Sequence, residues 1–202
     1  MQNTKYILSK TISVVLHPLF VPTYSIASIL IYLKAAWQYT MVATALCFIL
    51  TCLCPLLEIW LRVRAGKLTS IELYEQKERT IPDLISMLCM ALWCLFAYNL
   101  ELPMTIVGIY ITCTVLLLVV MLINLKWKIS IHLTSFGAYA GMMAIITFRA
   151  GYMWLFPLLL LVALLLMYAR IYLKAHTPRQ VVVGFLLGLV VASVSTYLLM
   201  PQ

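Results

Sequence analysis

Runs of about 20 mostly apolar residues recur along this 202-residue chain. As a helix, one such run crosses the roughly 30 Å of hydrocarbon in a bilayer. The runs cover about 11–33, 40–61, 82–100, 103–124, 132–148, 153–170 and 180–199, and backbone groups in lipid must be satisfied within the element itself. The expected fold is therefore all-α, a polytopic transmembrane helical bundle of six to seven spans. A water-soluble fold is excluded: 65% of residues are hydrophobic and 10% charged, whereas soluble domains are about half apolar and a quarter charged. Without Gly/Ser-rich linkers or repeats, residues 1–202 read as one integral membrane domain. The first run is interrupted by His17-Pro18 and Val21-Pro22, so its start is expected to be irregular or interfacial.

If seven segments alternate across the membrane, Lys5, Lys10, Arg62, Arg64, Lys67, Lys77, Arg79, Lys126, Lys128, Arg170, Lys174 and Arg179 share one side, and only Lys34 and Arg149 lie opposite. The positive-inside rule makes that basic side cytoplasmic. A net charge of +8 in such a chain points to anionic head groups or phosphorylated substrates, not to nucleic acid. Cys47, Cys52, Cys54, Cys89, Cys94 and Cys113 all lie in apolar runs without CxxC or zinc-type spacing, and read as reduced packing residues. Trp37, Trp60, Trp127 and Trp154 fall near span ends, as aromatic belts do. Glu58 has Arg62 four residues on as a partner.

Two segments carry the chemistry. One is Lys126-Trp-Lys-Ile-Ser-Ile-His132; the other is Ala169-Arg-Ile-Tyr-Leu-Lys-Ala-His176-Thr-Pro-Arg-Gln180. Each sets a histidine beside cations at a helix end. Cations and helix-start N–H groups neutralise phosphate oxygens, while a neutral imidazole can attack phosphorus or move a proton near pH 7. Gly137 and Gly141 follow His132, and Gly184 and Gly188 follow His176, each pair at the spacing that lets membrane helices approach closely. The third histidine, His17, reads as a helix-start or interfacial residue.

These residues resemble the type 2 phosphatidic acid phosphatase superfamily, membrane lipid phosphatases among its members. One family motif is PSGH at a helix start; here it survives as Ser130-Ile131-His132. Another is SRxxxxxHxxxD; here Ala169-Arg170, five residues, His176, three residues and Gln180 keep the Arg–His spacing. The likeness covers roughly 104–200, which would be the phosphatase-like core. It implies that His176 is the nucleophile, that His132 protonates the leaving oxygen, and that Arg170 and Ser130 hold phosphate oxygens. The family's KxxxxxxRP is not present in that form. Lys126 with Lys128, or Lys77 with Arg79, are the possible replacements, Arg79 and Lys128 being favoured. No metal or organic cofactor is implied.

Gln180 stands where the family has the Asp that orients the nucleophilic imidazole. An amide can accept the ring hydrogen bond but brings no charge, and the equivalent exchange in a serine protease costs on the order of 10⁴ in rate. Glu72, Glu75, Glu78 and Asp83, on the same side by alternation, are possible substitutes or simply partners of nearby cations. The expected function is hydrolysis of a lipid phosphate or pyrophosphate through a phosphohistidine. The alternative is a catalytically impaired homologue that binds anionic lipid or acts as a scaffold. A cell-membrane, multi-pass location follows from the spans; the charge count puts the site on the cytoplasmic face, the resemblance on the extracytoplasmic one. The lipid and the oligomeric state are left open.

Overall fold

The computed structural model describes residues 2–71, 73 and 75–200, and among these it is built of helices without strands. In chain order they are α1 (Gln2–Val15), α2 (Val21–Tyr32), α3 (Trp37–Phe48), α4 (Cys54–Arg64), α5 (Thr80–Asn99), α6 (Met104–Asn124), α7 (Ile131–Arg149), α8 (Leu155–Tyr172) and α9 (Pro178–Leu199). A π-helical stretch, Ile49–Leu53, joins α3 to α4 in one 28-residue rod. It lies immediately ahead of Pro55, whose missing N–H cannot continue an ordinary ladder. Six helical stretches are long and apolar enough to cross a membrane: Trp37–Arg64, Gln76–Asn99 and α6 to α9.

The first apolar run does not become a full span. α1 ends at Val15 and α2 starts at Val21, with Pro18 between them and Pro22 in the first turn of α2. The 12 residues of α2 reach only about 18 Å at 1.5 Å per residue. The six longer stretches remain the candidate crossings.

The chain divides into two compact units, residues 1–18 with 128–202, and residues 19–127. In the second, α5 packs along α6 and α2 along α3. Trp93 stands edge-on to Tyr110 at 5.7 Å, and the Tyr110 hydroxyl donates to Pro22 O at 2.6 Å. Arg62 Nε bonds Glu58 Oε1, the pair expected from their spacing.

In the first unit α7 and α9 lie against each other in parallel, and the glycines explain how. A Cβ on Gly137 would strike Phe185 O, one on Gly141 would strike Leu189 O, and one on Gly188 would strike Thr134 O. A Cβ on Gly184 would come within 2.8 Å of Ser130 O. Each helix thus lays its glycines on the other's backbone, in the small-residue manner of membrane helix pairs. α8 closes the group and α1 packs on α8.

Candidate functional site

The starts of α7 and α9 are tied together by Ser130 N–H donating to Gln180 O at 3.4 Å. Glycine contact and this bond set Ser130 and the first turn of α9 side by side. α8 arrives at the same end from the opposite direction and terminates in a tight turn at Lys174, φ +53°. There Ala175 N–H donates to Arg170 O at 3.1 Å, which keeps Arg170 one turn away from His176. Ser130, His132, Arg170 and His176 are all buried.

His176 is oriented by Gln180. The amide Oε1 lies 3.2 Å from His176 Nδ1 and accepts from Thr177 N–H at 3.0 Å. Thr177 Oγ1 in turn accepts from Gln180 N–H at 3.4 Å, completing a capping box at the start of α9. An oxygen already fixed as an acceptor can only accept from the ring as well. Nδ1 therefore carries a proton. Gln180 occupies the Asp position of the resembled motif without its charge.

Ser130 is the N-cap of α7, yet its hydroxyl makes no capping bond. Its Oγ is fully buried and has no hydrogen-bond partner among the described residues. A buried hydroxyl without a partner costs about 1–3 kcal/mol. Arg170 Nη1 donates to Ser13 Oγ at 2.6 Å.

His17 also belongs here, which its sequence position did not indicate. Its ring meets that of His132 edge to face, centroids 4.9 Å apart and planes at 81°. Burial, and after it the Arg170 cation, pushes its imidazole down to about 4, so the ring is neutral near pH 7. The only signal in the sequence was a His-Pro pair on an apolar run.

The remaining proposed contacts are distributed differently. Lys128 is partly buried and belongs to the same unit as the histidines, while Lys126 and Lys77 are exposed and belong to residues 19–127. Arg79 is also in that unit, buried, with Nε donating to Leu73 O at 2.8 Å. Of the carboxylates considered for His176, Glu78 accepts from Thr69 N–H at 3.1 Å and from its hydroxyl at 2.9 Å. Asp83 is buried in α5, and Glu72 lies outside the described residues. Residues 1–18 and 128–202 contain no Asp or Glu at all.

Chemically, the arrangement offers an imidazole oriented through Nδ1, a second imidazole, a buried guanidinium and a buried hydroxyl. No curated protein and no solved structure matched the chain. Residues 124–201, the stretch that carries Ser130, His132, Arg170 and His176, match the PAP2 superfamily.

Proposed function

We propose that this chain is a membrane phosphatase that removes phosphate from a lipid phosphate or pyrophosphate through a phosphohistidine. The observation that carries this reading is that the stretch matching the PAP2 superfamily holds buried Ser130 and His132 at the start of α7, Arg170 in the last turn of α8 and His176 just ahead of α9.

In the first displacement His176 Nε2 attacks phosphorus as the P–O bond to the leaving group breaks, and His132 gives its proton to the departing oxygen. In the second, water attacks the phosphoimidazole, His132 takes a proton from it, the P–N bond breaks and phosphate leaves. Arg170 and Ser130, with Lys128, stabilise the equatorial oxygens in both steps. Arg79, Lys77 and Lys126 are further candidates for the substrate's charge. Gln180 orients the nucleophile.

A test is phosphate release from a short-chain lipid phosphate by purified protein without added metal. Wild type is expected to release phosphate, and His176→Ala to lose all of it while remaining folded. Equal release by the variant would overturn the nucleophile assignment. Gln180 favours a second reading, an anionic-lipid binder without turnover; wild-type protein that binds lipid phosphate but releases nothing would select it.

The ten cations of the loops after α4, α6 and α8 and at their edges favour a cytoplasmic site. Cysteines introduced singly at Lys34 and Lys67 in a cysteine-free background test this. Labelling of Lys67→Cys from outside would reverse the assignment.

A further inference from the structure

α1 turns the wrong face inward for a helix held by apolar packing. Ser9 and Ser13 are buried, whereas Tyr6, Ile7, Leu8, Val14 and Val15 are exposed. Such a helix is arranged around a polar partner, and the partner is Arg170, bonded through Ser13 Oγ. The helical course runs on past Val15, with Leu16 N–H donating to Ile12 O at 3.0 Å and His17 N–H to Val14 O at 3.2 Å. Ser13 and His17 are therefore one turn apart on a single side of the segment, and Pro18 ends it. Ser13 meets the guanidinium from α8 while His17 meets the imidazole from α7.

We propose that Ser13–Pro18 is a positioning element of the phosphate site, Ser13 fixing the Arg170 guanidinium and His17 fixing the ring plane of His132. The element lies outside residues 124–201, the part that matches the superfamily, and its role rests on the phosphatase reading above. An imidazole at the tip of a helix start has a broad, two-fold χ2 torsion. A neighbouring ring standing edge to face narrows that torsion, since aromatic pairs favour this geometry. The acid in the first displacement then points its N–H along one direction instead of sampling several. Burial and Arg170 keep His17 neutral, so it restrains His132 without adding a second positive charge against the proton that His132 must carry. Ser13 acts on the ground state as well, because Arg170 contacts the phosphate both before and during reaction. The two residues should therefore separate kinetically, His17 affecting kcat and Ser13 affecting KM.

The experiment uses full-length chain in nanodiscs with ¹⁵N-labelled histidine, whose three rings, His17, His132 and His176, give few signals. His17→Ala is expected to move the His132 ring nitrogens toward tautomer-averaged shifts, and His17→Phe, which keeps a ring edge, to leave them at wild-type positions. If His17→Ala does not fold, His17→Leu fills the volume without the edge and takes its place. With short-chain phosphatidic acid as substrate, His17→Ala should lower kcat about tenfold with KM within about twofold, and Ser13→Ala should raise KM about tenfold, with Ser13→Thr restoring it. His132 shifts unmoved by His17→Ala, or moved equally by His17→Phe, overturn the proposal. Wild-type protein that releases no phosphate would overturn the phosphatase reading instead, and the ring shifts would still decide whether His17 positions His132.

Discussion

Residues 19–127 and the unit formed by residues 1–18 with 128–202 carry equal numbers of Lys and Arg, seven each, yet all six carboxylates lie in the former. There the charges answer one another: Glu58 pairs with Arg62, and Arg79 interacts electrostatically with Asp83 one turn away. In the other unit two arginines bond neutral oxygens. Arg170 bonds the Ser13 hydroxyl, and Arg149 bonds Met200 O and Tyr197 O at 3.3 Å each. Packing differs in the same sense. α7 has the lowest mean hydropathy of the six long stretches, 1.4, and is 67% buried, while α6 has the highest, 2.8, and is 33% buried. Polar and small residues are thus concentrated where helices cover one another, and the unit left electrically unbalanced is the one with the phosphate-type motifs.

The largest expected effect tests the packing half of this contrast. Gly188→Ala forces a methyl group into Thr134 O across α7 and should destabilise by more than about 3 kcal/mol. Leu118→Ala on α6, where Leu118 is 37% exposed, should cost under about 1 kcal/mol. Thermal unfolding in detergent compares them; similar losses would break the contrast.

Next comes the electrostatic half. Arg170→Met should weaken binding of vanadate, a phosphate mimic, by about 10- to 100-fold, the worth of one or two charge-assisted hydrogen bonds. Retained affinity would show that the guanidinium does not face the anion. Gln180→Glu keeps the capping box and adds the missing carboxylate, so kcat should rise, by about tenfold or more, as the imidazolium formed in catalysis gains a counter-charge.

A pH effect of about 3 kcal/mol follows from His17. Its folded value, about 4, lies below the ordinary 6.5, so between these values the unfolded chain binds the proton more readily. Stability from this group is intact above about pH 6.5, is lost as pH falls toward about 4, and changes no further below that. Denaturation followed from pH 7 to 4 should show a shallower decline in His17→Phe than in wild type. The smallest effects are expected at Lys77→Ala and Lys126→Ala, whose exposed cations act through screening solvent; less than about a twofold change in KM would sharpen the assignment of binding to buried Arg170.

The spans were legible in the sequence because hydropathy over 18 or more residues is a strong signal, and the α7–α9 contact was legible because four glycines at one spacing leave few alternatives. The first run misled in part: apolar composition continued across Pro18 and Pro22, but the backbone could not. Ser130, His132, Arg170 and His176 could be singled out from motif spacing. His17 could not, since edge-to-face contact between rings 115 positions apart leaves no periodicity to read. Gln180 could be named as the residue in the Asp place, but its second bond, to Thr177 N–H, needed coordinates.

That second bond has a mechanical consequence. One amide oxygen both seals the opening turn of α9 and holds the His176 ring, so the two are geared to each other. Fraying of that turn, by a bilayer thinner than the helix or by a ligand pushing at the interface, would release the imidazole to rotate, and the proposed phosphatase would lose its oriented nucleophile without any change to the residues assigned to phosphate.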